Sequence, residues 1–91
     1  MNTVILDGED FASSAELHQQ LKNKLKLPDF YGGNLDALWD CLTGTVELPL
    51  ELRWTNYRIS EERLGKAAGR VRDLMLEVQA EQAGFQLRVE E

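Results

Sequence analysis

The chain cannot close a disulfide on itself, because Cys41 is the one cysteine among its 91 residues. A bridge-stapled scaffold is thereby excluded, and a lone thiol fits a reducing, cytoplasmic setting. Long apolar runs are also missing. Val4-Ile5-Leu6 is too short for the apolar core of a secretory leader, and no basic segment precedes it. Nothing approaches the ~20 apolar residues of a membrane span, so no membrane partner is expected. Positive charge is scarce: 10 Lys and Arg against 16 Asp and Glu leave a net charge of −6. Nucleic acid is a poor partner for that balance, since phosphate binding needs clustered cations. A basic protein is favoured instead, because opposite charge accelerates encounter. Repeats, low-complexity stretches and linkers longer than a turn are absent. What is present is 43 % apolar residues, with two Trp, two Tyr and three Phe. Over this length they are expected to serve one domain covering residues 1–91.

Thr3 to Leu6, closed by the turn signal Asp7-Gly8, reads as a buried strand. Ser13 and Glu16 have capping-box spacing, and Leu17, Leu21 and Leu25 recur every four residues. A helix is expected there, stopped by Pro28. After the loop Asp29-Phe30-Tyr31-Gly32-Gly33, Asn34 is a candidate N-cap for a second helix over Leu35 to Thr43. Gly44 is placed to end it. Leu48, Leu50, Leu52 and Trp54 alternate with Pro49, Glu51 and Arg53 as a strand, with Trp54 in the core. Thr55 to Arg63 is ambiguous, with room for one short helix. From Leu64, the residues Ala67, Ala68, Val71, Leu74, Met75 and Val78 recur at three and four, predicting a long amphipathic helix to about Glu81. Phe85, Leu87 and Val89 then alternate as a last strand. Strands separated by helices call for a parallel sheet. The expected fold is α/β, a three-stranded parallel sheet packed with helices.

Projected at ~100° per residue, the second helix carries Leu35, Leu38 and Leu42 on one stripe. Asp36, Asp40 and Thr43 share another, and Trp39 lies on the margin. Two carboxylates at i and i+4 repel each other by ~0.2–0.5 kcal/mol in an isolated helix. Asp36 gains some of this back from the helix N-terminus; Asp40 does not. One reading of the pair is a solvated face. The other is a preformed acidic ridge with an aromatic flank, suited to Arg, Lys or His⁺ on a partner. A nuclease active site presents those cations to hold phosphates. Catalysis by the pair finds little support: glycoside hydrolysis needs a cleft between its carboxylates, which a convex helix does not offer. A metal would need further ligands, and Cys41 points elsewhere on the wheel; no metal or cofactor is expected. His18, beside Gln19 and Gln20, reads as a surface residue, and Cys41 as a small filler next to the core stripe. Gly32-Gly33 match no phosphate-loop spacing and suit a tight entry to the helix.

The run from Leu27-Pro28-Asp29-Phe30-Tyr31-Gly32-Gly33-Asn34 through Leu35-Asp36-Ala37-Leu38-Trp39-Asp40-Cys41-Leu42-Thr43-Gly44 resembles the signature of the barstar family, small intracellular bacterial inhibitors of ribonucleases. The likeness extends to Val4-Ile5, Gly8-Glu9, Glu16-Leu17-His18-Gln19, Pro49-Leu50 and Trp54. It weakens from Thr55 to Val71 and returns in part at Glu77 to Glu81. The resemblance implies a non-enzymatic, cytoplasmic protein, monomeric when free, that plugs the active site of a basic ribonuclease or nuclease toxin. It implies that Asp40 enters the phosphate-binding pocket with Asp36 as the second acidic contact. Gly32, Asn34, Trp39, Thr43, Gly44 and Thr45 are implied as neighbours on the same surface, and Glu77 as a peripheral contact. Two positions depart from the best-known member. Phe30 replaces Tyr and loses a hydroxyl hydrogen bond, and Thr45 replaces Trp and loses a large contact. A second cysteine near the last strand is also missing. Fold transfers more safely than target, so a different basic nuclease, or a non-nuclease partner on the same fold, stays open.

Overall fold

The structure, a computed structural model, describes residues 2–91. The elements run β1 (Asn2–Asp7), a single 3-10 turn (Gly8–Asp10), α1 (Ser14–Leu25), α2 (Leu35–Gly44), β2 (Leu50–Thr55), α3 (Tyr57–Leu64), α4 (Lys66–Glu81) and β3 (Phe85–Val89). The strands form one three-stranded parallel sheet in the order β1-β2-β3. Asn2 lies opposite Leu50, and Leu50 opposite Phe85. This is the α/β architecture that the alternation of strand and helix patterns predicts.

Side chains alternate across the strands. Leu6, Leu50, Leu52, Trp54, Phe85 and Leu87 share one face and are buried in the common core with residues of the helices. Thr3, Ile5, Glu51, Arg53, Gln86 and Arg88 share the opposite face, and none of them is buried. Ion pairs lace that open face, Arg53 to Glu90 at 2.9 Å and Arg88 to Glu51 at 3.9 Å. The expectation of a buried strand at Thr3–Leu6 is therefore corrected. β1 is an edge strand of a sheet covered on one side only, so Leu6 is buried while Ile5 remains 47 % exposed.

Two boundaries differ from the sequence reading, while α1 stops short of Pro28 as expected. It ends at Leu25, with Lys26 left-handed at φ 54° and the Leu27 N–H donating to the Lys22 carbonyl at 2.9 Å. Leu48 and Pro49 precede β2 rather than belonging to it; the ladder to β3 opens with the Leu50 N–H donating to the Gly84 carbonyl at 2.8 Å. The long helix expected from Leu64 is two helices. Gly65 separates them with φ 60° and ψ −130°, a conformation that only glycine adopts readily. Leu64 thus closes α3, the short helix for which the ambiguous segment has room.

Trp54 is fully buried at the centre. Its ring packs edge-on against Tyr57 and Phe11, at centroid distances of 4.9 and 6.5 Å. The indole N–H donates to the buried Ser60 hydroxyl at 2.9 Å. A buried donor stripped of its acceptor retains its full desolvation cost. Replacing Ser60 with Ala is therefore expected to destabilise the fold by about 1–3 kcal/mol, read as a lowered urea midpoint. A wild-type midpoint would show that the indole does not depend on that hydroxyl.

Candidate partner-binding surface

The stretch between α1 and α2 is built in three steps. The Tyr31 N–H donates to the Pro28 carbonyl at 2.9 Å, which closes a tight turn. Phe30 sits at the tip of this turn and is 86 % exposed, the most exposed large apolar side chain among the described residues. Tyr31 turns the other way. Its hydroxyl meets His18 Nδ1 at 2.6 Å, and the two rings lie 5.8 Å apart. Gly33, at φ 68°, carries the chain over His18, and Asn34 then starts α2 by accepting from the Ala37 N–H at 2.8 Å.

His18 is consequently not the surface residue expected from its polar neighbours. It is buried, covered by the returning loop. Burial lowers the pKa of the imidazole, and burial together with Cys41 pushes the Tyr31 hydroxyl up to about 12. A neutral ring accepting from a protonated phenol satisfies both groups at neutral pH.

Along α2, Leu38, Cys41 and Leu42 are buried, and Leu35 and Trp39 are half-buried against the core. α2 packs on α4. Asp36 and Asp40 fall on the exposed side, as the wheel predicts. Among the described residues neither carboxylate lies within 4.0 Å of a cation. The Thr43 hydroxyl is committed to the helix, donating to the Trp39 carbonyl at 2.8 Å. Gly44 does not terminate the helix as expected. It is the last helical residue, and Thr45 caps the end through its N–H to the Cys41 carbonyl at 2.9 Å. A Cβ on Gly44 would meet nothing within 4 Å.

The surface thus gathers Phe30, Gly32, Asn34, Asp36, Trp39, Asp40, Gly44 and Thr45 on one loop and one helix, with Thr43 half-buried among them. Glu77 is exposed on α4, and among the described residues no hydrogen bond or ion pair joins it to α2. No group of three or more His, Cys, Asp or Glu among the described residues is placed to hold a metal.

One signal escapes a residue-by-residue reading. Residues 27–45 hold three acidic side chains and no Lys or Arg, whereas the rest of the chain holds thirteen acidic and ten basic ones. Half of the net negative charge therefore lies in the stretch that builds this surface. The distribution of charge along the chain marks the site in the sequence itself.

The buried imidazole makes stability depend on pH, with a definite sign. A histidine with a depressed folded pKa binds its proton more readily in the unfolded chain. Its contribution is complete above the unfolded value of 6.5 and is lost as pH falls from there toward the lower folded value. Urea midpoints of the parent chain are expected to drop between about pH 7 and 5, and the drop should be shallower in His18→Gln. Parallel profiles for the two proteins would place the pH dependence elsewhere.

Comparison with known proteins shows the family. The family model described as Barstar (barnase inhibitor) matches residues 1–90. The protein named "Putative ribonuclease inhibitor YrdF" of Bacillus subtilis (strain 168) is 51 % identical over 81 residues, covering 89 % of each chain. No helix among the described residues is long and apolar enough to cross a membrane. A match over nearly the whole chain, joined to half-identity with a relative, is sufficient: the chain belongs to the barstar family.

Proposed function

We propose that this protein is a non-catalytic inhibitor that binds a basic ribonuclease and covers its active site with the Phe30 loop and the outer face of α2. The observation that carries the reading is the uncompensated pair Asp36 and Asp40, held in the open by the burial of Leu38 and Leu42 directly behind it. Active-site cations that grip RNA phosphates meet two carboxylates in a fixed spacing, and Arg takes such oxygens bidentately. Asp40 is the central contact and Asp36 the second. Phe30 and Trp39 supply aromatic area beside them, the residue class that anchors protein interfaces. Gly32, Asn34, Thr43, Gly44 and Thr45 complete the contact face, with Glu77 at its margin. The family description and the relative's name support a ribonuclease as the target. A secreted ribonuclease must be silenced while it is still in the cytosol, and a protein of this kind meets that need. Free of its target the chain is proposed to be a monomer.

Gly44 adds an independent support. Glycine in a helix interior costs roughly 0.5–1 kcal/mol relative to Ala, an upper bound for Gly44 as the last residue of α2. Its backbone is helical and a Cβ would have open space, so the fold gives no reason for it. A flat spot for close approach of a partner does.

Titration of barnase activity on RNA with this protein tests the reading. Stoichiometric inhibition is expected, and Asp40→Ala should raise the inhibition constant at least thirtyfold, the ~2 kcal/mol of an interface hot spot. An unchanged constant for Asp40→Ala would sink the mechanism. Gly44→Ala should move two observables in opposite directions: the melting temperature up and the affinity down. A variant that is stabilised and binds as the parent does would remove Gly44 from the contact face.

A further inference from the structure

The C-terminal end of α2 borders a cleft of about 490 Å³, within the size range of side-chain and small-ligand sites. Its apolar lining comes from Val4, Leu25, Val46 and Leu50, none of which is exposed. The rest of the lining is polar: Asn2, Lys24 and Lys26 from the end of α1, and Thr45 and Glu47 from the end of α2 and the segment after it. Among the described residues, neither lysine has a carboxylate within 4.0 Å. Lysines at a helix C-terminus complement the helix dipole, which accounts for their sign. It does not account for the mixed polar and apolar cleft that they line.

We propose that this cleft receives an acidic side chain of the bound nuclease, its stem against Leu25 and Val46 and its carboxylate between Lys24 and Lys26. The proposal rests on the inhibitor reading. Two arguments put the cleft at the edge of the proposed contact face. Thr45 belongs both to the cleft wall and to the end of the acidic helix. At 1.5 Å per residue Thr45 lies ~7.5 Å along the axis from Asp40, while a standard interface patch of ~800 Å² per partner is roughly 30 Å across. Charge then selects the occupant. Every charged residue in 27–52 is acidic, and the sign reverses at Lys24 and Lys26. With two lysines against the one carboxylate of Glu47, the cleft lining is net positive, so a uniformly basic partner would meet repulsion at this edge, whereas a partner with a carboxylate here would be matched.

The test uses barnase as the probe and turns on the sign of an effect. Inhibition constants are measured for the parent chain, Lys24→Gln/Lys26→Gln and Lys24→Glu/Lys26→Glu, with Asp40→Ala alongside and a melting curve for each. The Gln pair should bind roughly tenfold more weakly, the lower end of what hydrogen bonds to a charged group contribute, and the Glu pair more weakly still. Global attraction alone makes the opposite prediction, since a more acidic inhibitor should bind a basic enzyme more tightly. Unchanged or tightened binding by both Lys variants, with Asp40→Ala still defective, overturns the cleft proposal and leaves the inhibitor reading standing. No inhibition by the parent chain overturns that reading, and this proposal with it. If the Glu pair melts early, the Gln pair, which introduces no new charge at the helix end, decides.

Discussion

The rotation of α2 about its own axis is the constraint on which the rest depends. Leu38 and Leu42 are completely buried and Cys41 nearly so, and together they lock one face of a ten-residue helix onto the core. With that face locked, the i, i+4 pair Asp36 and Asp40 has nowhere to point but solvent. The repulsion between them is a few tenths of a kcal/mol, whereas burying two leucines contributes on the order of 1.5–3 kcal/mol each. Packing wins easily, and an unfavourable electrostatic arrangement becomes a permanent surface feature. A ridge held in this way needs no ordering when a partner arrives, which lowers the entropic cost of association.

The sheet imposes the matching constraint at the level of the fold. Only one of its faces is apolar, with Leu52 and Trp54 at the centre and the Arg53–Glu90 pair on the reverse. The buried residues of α1, α2, α3 and α4 therefore share one core with that face. α2 lies against α4 in this layer, so its outer side is available for contact. The loop before it is tied down by the Tyr31–His18 bond at 2.6 Å, while Phe30, one residue earlier, stays outside. Adjacent residues in one turn thus divide the work of anchoring the loop and offering an aromatic ring.

What is legible in the sequence is whatever depends on local period. The alternation of Leu50, Leu52 and Trp54, the spacing of Leu38 and Leu42, and the caps at Ser13 and Asn34 each report neighbours within a turn or a strand. Fold class and the orientation of Asp36 and Asp40 follow from them. The features that escape depend on contacts distant in sequence or on backbone conformation. His18 is buried by a residue thirteen positions later, which no window around Gln19 and Gln20 reveals. Ile5 is exposed because the sheet's second face is uncovered, a property of the whole layer arrangement. The break at Gly65 is hidden by an apolar rhythm that continues across it from Leu64 to Ala68. Gly44 stands where a helix terminator is expected, yet its backbone is helical. It closes α2 as a helical residue, and its place on the contact face is the proposed role.

The central claim is that a preformed acidic face, carried by Asp36 and Asp40 on α2, captures a basic ribonuclease. Its most direct test is the association rate with barnase by stopped-flow mixing across a range of ionic strength. Electrostatic capture predicts a rate that falls steeply as salt shortens the Debye length from about 30 Å at 0.01 M to about 8 Å at 0.15 M. The same salt dependence should be blunted in Asp36→Asn/Asp40→Asn. A rate indifferent to salt, or one equally salt-sensitive in that variant, would contradict the account.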